Sequence, residues 1–208
     1  MKTDKKIIYA IQRIRTPKLD MFFRVFTHIA EYGIAWMVAA AVCFLFAETR
    51  LLGMQLGVAL FLCVVIGEVF IKPSVRRKRP FVNDPSVKVV VHKPKDFSCP
   101  SGHSSSCFAC ATVFLFFDWR ISLPLYLFAC AIAFSRVYLF VHYPSDVLGG
   151  AVLGFFCGLI AYFACAYFVG LYGALNPFGW EGFSFLPLQG EEIFSSAEII
   201  FENFSFSV

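Results

Sequence analysis

Residues 99–117 read CPSGHSSSCFACATVFLFF. The second half is an apolar helix face. The first half, from Pro100 to Ser106, is almost wholly polar and carries a histidine. What such a segment means depends on the chain around it. Long apolar blocks, not amphipathic spacing, run through residues 33–47, 51–71 (broken by Gln55 and Glu68), 104–117, 121–141 and 147–171. The 208 residues are 59% apolar or aromatic and only 15% charged, where a soluble domain carries about 25%. Mean hydropathy is +0.71. A spanning helix needs roughly 20 apolar residues, fewer if its ends reach the headgroups.

These blocks predict an all-α, polytopic membrane helical bundle of about five spans, at 33–48, 51–72, 102–118, 121–141 and 145–171. Residues 1–32 form an N-terminal part, with amphipathic helices over 4–16 and 19–31 that would lie in the interface plane. The opening MKTDKKIIYAIQRIRTPK has no apolar core followed by a small-residue cleavage site, so no secretory signal is expected. The loop over 73–99 is basic, holds Pro73, Pro80, Pro85 and Pro94, and contains a β-prone patch, VKVVV, at 87–91. The Phe-rich acidic tail, 172–208, either carries a further helix near 197–204 or is disordered.

All 18 basic residues lie within 1–136, beside 8 acidic ones; the remainder has 6 acidic residues and no basic ones. A nucleic-acid partner does not suit a chain that is mostly embedded in lipid. The eight cysteines sit mostly inside apolar blocks. Cys107 and Cys110 make a lone CxxC without a second pair, so the cysteines read as small buried thiols. No metal cluster is expected.

Spans alternate direction. The end of the second span, the start of the third and the junction of the fourth and fifth therefore share one membrane face. The uncommon chemistry of the chain sits at these three places. Arg136 lies in the apolar run IAFSRVYLFVHY, where an Arg is costly unless it snorkels or meets an anion. Pro144 suits a helix start, which puts Asp146 in a first turn and His142 just ahead. A carboxylate there would hold the imidazole Nδ1–H and leave Nε2 free. Pro100 and Ser101 announce another helix start, Gly102 lets a ligand approach the backbone, and His103 would protonate a leaving oxygen. Lys72 and Arg79 are two cations on a helix end and a Pro-braced loop, suited to a phosphate dianion, with Glu68 one turn before Lys72 to orient it. Arg76, Arg77 and Lys78 read instead as a cluster touching lipid headgroups, and Ser104–Ser106 as residues that allow close helix packing. His28 and His92 read as interfacial and loop residues.

Taken together, Lys72 with Arg79-Pro80, the PSGH of 100–103, and Ser135-Arg136 with His142 and Asp146 resemble the three-part signature of the type 2 phosphatidic acid phosphatase family. That family shares a helical core with vanadium-dependent haloperoxidases. The resemblance covers about 72–171, with no motif position substituted. It implies that His142 attacks phosphorus to form a phosphohistidine, that Asp146 orients His142, and that His103 serves the leaving group and then water. It implies that Lys72, Arg79, Arg136, the Ser101 hydroxyl and the Gly102 N–H clamp the phosphoryl oxygens, without metal or cofactor. The implied activity is hydrolysis of a lipid phosphate or diphosphate in the bilayer. Undecaprenyl diphosphate or a phosphatidic acid-type lipid is the leading candidate. Phosphotransfer to another acceptor is the alternative, and a non-catalytic anionic-lipid binder or transporter a lesser one. The Lys/Arg distribution alone would place the site in the cytoplasm. The small bacterial members of the family face outward, and an extracytoplasmic site is the expectation.

Overall fold

The computed structural model describes residues 2–28 and 33–175; the helix expected near 197–204 lies outside them. The described residues form helices α1 (Lys2–Gln12), α2 (Pro17–His28), α3 (Ile34–Leu45), α4 (Arg50–Leu62), α5 (Lys72–Val75), α6 (Pro80–Asn83), α7 (Gly102–Phe117), α8 (Trp119–Tyr138) and α9 (Pro144–Leu175). A π-helical stretch, Cys63–Ile71, joins α4 to α5. Among the described residues, three runs are long and apolar enough to cross a membrane, within Ala47–Asn83, Trp119–Tyr138 and Pro144–Leu171; Ile34–Leu45 and Gly102–Phe117 are shorter apolar helices. Large apolar side chains such as Phe61, Leu127, Phe156 and Phe168 point outward. A soluble monomer rarely exposes so continuous an apolar surface, and here lipid covers it.

The helix ends follow from local chemistry. Asp118 caps α8 by accepting from the Arg120 amide, and Ser101 caps α7 by accepting from the Ser104 amide. Pro occupies the first turns of α2, α6 and α9, where its missing N–H leaves no gap in the helix. A π turn takes one more residue per ring than an α turn. The stretch Cys63–Ile71 therefore resets which side chains face inward just before Lys72, which is buried.

The centre of the bundle is a seam between α7 and α9. Gly150, Gly154 and Gly158 recur every fourth residue along α9. A Cβ on Gly150 would lie 2.5 Å from the Ser101 carbonyl oxygen, one on Gly154 2.2 Å from that of Ser105, and one on Gly158 2.6 Å from that of Ala109. Only glycine permits this approach. Small-xxx-small spacing of this kind lets helix backbones meet where no hydrophobic effect drives them together. Ser104–Ser106 form the facing wall, turning their hydroxyls onto Ser101 Oγ and the carbonyls of Gly102 and His103. The contacts advance in the same direction along both helices, so α7 and α9 run parallel and begin side by side at one face.

α1 packs onto the bundle: Ile8 is fully buried against Val137, Phe140, Tyr143 and Val147 at the α8–α9 junction. Arg15, bonded to both Asp20 oxygens at 2.9 and 3.0 Å, pins the corner between α1 and α2. The β-prone VKVVV patch is not in a strand. Among the described residues it meets no partner strand, and Val89, Val90 and Val91 cover Tyr138, Leu139 and Val141.

Candidate active site

Where α7 and α9 begin, a cavity of about 920 Å³ opens between them and α2–α4. Lys72, Arg79, His103, Arg136 and His142 all reach its wall, with Gly102 beside them. The three sequence-distant places thus meet in space. The opposite wall is apolar, with Met37, Ala40, Leu60, Phe61 and Val64 from α3, α4 and the π stretch. Met37, Phe61 and Val64 are exposed, so the polar end of the cavity continues into an open apolar groove.

His142 sits in a tight non-helical turn between α8 and α9. Its amide and that of Val141 both fold back onto the Arg136 carbonyl. Phe140 takes a left-handed φ of 61° to make the turn, which burial of its ring holds in place. The imidazole Nδ1 lies 2.7 Å from the Ser98 carbonyl oxygen. A carbonyl only accepts, so Nδ1 carries the proton and Nε2 the lone pair. Nε2 accepts from Arg79 Nη1 at 3.0 Å. Burial, and then the charges of Arg79, Arg136 and Lys72, push the imidazole pKa well below its usual value. His142 is neutral, with its Nε2 lone pair engaged by Arg79 at the cavity wall.

This corrects the role expected for the Asp146 carboxylate. Its Oδ2 is 3.9 Å from His142 Nδ1, too far for a hydrogen bond. It accepts instead from the Ser98 hydroxyl and, at 2.9 Å, from the Tyr143 amide. Asp146 therefore holds the two segments that hold His142. Ser101 also differs from expectation. It is fully buried behind the cavity wall, and its Oγ is taken up by Ser104, at 3.0 Å from Ser104 Oγ. Its hydroxyl serves as a helix cap, while Gly102 and His103 form the wall.

The cations are held by acceptors of the protein. Arg136 Nη1 donates to Thr27 Oγ1 at 2.8 Å, which ties α2 to the site. Arg79 Nη1 donates to the Val141 carbonyl as well as to His142, and Nε donates to the Asp96 carbonyl. Arg79 Nη2 meets Asp96 Oδ1 at 2.8 Å. Lys72 Nζ donates to Glu68 Oε2 at 2.6 Å, the pairing expected from their spacing, and to Asp96 Oδ2. Asp96 thus bridges the two cations, one carboxylate oxygen on each. Burial pushes the Asp96 carboxyl up, but the hydrogen bond from Lys72 and the charges of Arg79 and Lys72 outweigh it and hold the pKa below its usual value. Among the described residues, no group of three or more His, Cys, Asp or Glu is placed to hold a metal ion.

Asp96, Ser98, Thr27 and Arg77 escape the sequence reading. Arg77 in particular is no headgroup contact: it bonds Asp146 Oδ1 at 2.6 Å. One signal was available. Asp96 and Asp84 are the two acids in the basic loop 73–99, and Asp96 stands four residues before Pro100.

A family model described as the PAP2 superfamily matches residues 52–169. The chain is 32% identical to an undecaprenyl-diphosphatase of Sulfolobus acidocaldarius, over 61% of this chain and 62% of that protein. It is 35% identical to a decaprenylphosphoryl-5-phosphoribose phosphatase of Mycobacterium tuberculosis, over 64% of this chain and 73% of the other. Among solved structures, the PAP2-type phosphatidylglycerolphosphate phosphatase of Bacillus subtilis superposes with a TM-score of 0.64 at 26% identity, covering 81% of this chain and 85% of that one.

Proposed function

The chain belongs to the PAP2 superfamily, and from that premise we propose that it is a membrane-embedded phosphatase that hydrolyses a lipid phosphate or diphosphate through a phosphohistidine. The observation that carries this reading is the shared cavity. Lys72, Arg79, His103, Arg136 and His142 line one end of it, and an apolar groove forms the other.

Arg79 Nη1 turns from His142 Nε2 to a phosphoryl oxygen, and the freed Nε2 attacks phosphorus, forming the N–P bond as the P–O bond to the leaving group breaks. His103, on the same cavity wall, gives its proton to the departing oxygen. Water then attacks phosphorus, the N–P bond breaks, and His103 takes up the water proton. Lys72, Arg79 and Arg136 stabilise the charge on the equatorial oxygens, where most of the catalysis in phosphoryl transfer arises. The parallel starts of α7 and α9 add the positive ends of two helix dipoles.

A polyprenyl diphosphate is the substrate class we favour. The relatives from Sulfolobus acidocaldarius and Mycobacterium tuberculosis are named for undecaprenyl and decaprenyl compounds, and the groove suits a long chain. The resemblance to small bacterial members supports an extracytoplasmic site, and labelling of single cysteines placed in the loop 73–99 of intact cells tests it. The central experiment is phosphate release by purified protein from a panel of undecaprenyl diphosphate, phosphatidic acid and phosphatidylglycerolphosphate, in excess chelator. Release is expected from at least one lipid and is abolished in His142→Ala, which still folds in detergent. Undiminished release by that variant would overturn the mechanism. Transfer to an acceptor in place of water would show as phosphorylated product without free phosphate.

A further inference from the structure

We propose that Asp4 and Arg77 are positioning residues of the active site, so that the N-terminal helix α1 is a working part of the catalytic unit. The inference rests on the reading of His142 as nucleophile.

Asp146 is fully buried, and His142 nearly so. The support for the imidazole runs outward through Ser98, whose carbonyl takes the Nδ1 proton and whose hydroxyl donates to Asp146. Asp146 Oδ1 in turn accepts from Arg77 Nη1 at 2.6 Å. A buried carboxylate needs such a partner. Arg77 reaches it from the loop after α5, with its guanidinium 4.2 Å from the centre of the Tyr143 ring. Its other nitrogen, Nη2, donates to Asp4 Oδ2 at 2.6 Å.

Asp4 does a second thing. Its Oδ1 accepts from the Ser145 amide at 3.1 Å, and its Oδ2 accepts from the Ser145 hydroxyl at 2.8 Å. Those groups belong to the first turn of α9, between His142 and Asp146. Asp4 is itself buried and comes from α1, outside the matched residues 52–169. Arg77 therefore lies between two carboxylates, one supporting the nucleophile and one supplied by the chain start. Each fixes the other's donor, and the planar fork of Arg77 sets their spacing. An arginine whose only task was to meet lipid headgroups would not be turned inward against two buried acids.

The network makes no contact with the cavity, so it acts on the alignment of His142 and not on substrate binding. Turnover of a short-chain phosphatidic acid in detergent is measured for wild type, Asp4→Asn, Arg77→Gln, Arg77→Lys and the double variant Asp4→Asn/Arg77→Gln. Loss of one charge-assisted hydrogen bond in this chain is expected to lower kcat about ten- to a hundredfold, with KM little changed. Arg77→Lys recovers part of the loss, and the double variant falls little below the worse single one. Independently of activity, deuterium exchange at peptides covering 143–147 should speed up in Asp4→Ala, because the Ser145 amide loses its acceptor. Wild-type kcat in Asp4→Asn, or losses that multiply in the double variant, would overturn the proposal. So would unchanged exchange at 143–147. Wild type and His142→Ala run in the same assay. Failure of the nucleophile assignment therefore shows there, separately from the behaviour of α1.

Discussion

Replacing Asp96 by Asn should make the enzyme bind phosphate and its analogues more tightly. The carboxylate occupies one Lys72 donor and one Arg79 donor, both needed by an incoming phosphoryl group. The sign depends on whether the cations stay in place without it. Arg79 is still held by the Val141 carbonyl, His142 Nε2 and the Asp96 backbone carbonyl, and Lys72 by Glu68. The uncharged amide, with one oxygen left, therefore frees one of the two donors, weakens the hold on the other and leaves their aim intact. Because the Asp96 side chain is 42% exposed, each ion pair is discounted for solvent, and about 1–2 kcal/mol in total is reasonable. That corresponds to an inhibition constant for orthovanadate or inorganic phosphate about five- to thirtyfold lower. The assay is competitive inhibition of short-chain phosphatidic acid hydrolysis in detergent micelles. The pH course is a second check. The folded pKa of Asp96 is depressed, so its pairing with the cations is complete above the ordinary carboxylate range and fades only as pH falls through the lower folded value. The gain should then be constant between pH 5 and about 8. An inhibition constant that is unchanged or raised would refute the reasoning, and would mean that Asp96 holds the cations more than it competes for them.

Three other substitutions probe the remaining parts. Gly154→Val puts a Cβ 2.2 Å from the Ser105 carbonyl oxygen; it should lower the melting temperature by about 3–10 °C, taking about 1–3 kcal/mol for overpacking, and reduce turnover with it. Gly57→Trp is tolerated by the fold, because a Cβ there meets nothing within 4 Å; it should raise KM for a long-chain substrate while sparing a short one, measured with the same headgroup at two chain lengths. His142 is held neutral in the folded state, so below the unfolded imidazole value of about 6.5 the unfolded chain binds a proton that the folded one does not. Wild-type stability should therefore fall with acidification by up to about 1.4 kcal/mol per pH unit more steeply than that of His142→Asn, as read from melting curves between pH 7 and 4.

Much of the fold was legible because a membrane simplifies the code. Long apolar blocks mark helices, and alternation of direction brings Lys72, Gly102–His103 and Arg136–His142 to one face without any knowledge of packing. The GxxxG spacing of Gly150, Gly154 and Gly158 is also a sequence signal, and it marks the α7–α9 seam. The supporting residues were harder. Ser98 serves His142 through its backbone carbonyl, which any residue could supply, so its side chain gave no clue. Arg77 stands among Arg76, Lys78 and Arg79, and charge alone cannot tell an inward arginine from a lipid-facing one. Asp4 lies in a helix whose polar residues looked like an outer face, and only the docking of Ile8 turns that face inward. Asp146 was correctly placed beside His142 in sequence, yet a helix-start turn set the two at 3.9 Å, and the hydrogen bond went to a nearer acceptor.

The seam between α7 and α9 also bears on how chains of this kind can diversify. His103 and Asp146 ride on two helices whose register is locked by backbone against backbone, so drift on either is penalised by the other. The α3–α4 hairpin carries none of the proposed reacting groups. It is bound together on its own, since a Cβ on Gly53 would lie 2.6 Å from the Ala40 carbonyl oxygen. Its inner face is not free to drift, since Trp36, Leu56 and Leu60 share one core with Cys107, Val113 and Cys157. Change is cheapest at Met37, Gly57 and Phe61, which line the cavity and lie outside that core. A variant carrying a relative's residues at those three positions should keep its turnover of a short phosphate ester while its chain preference shifts.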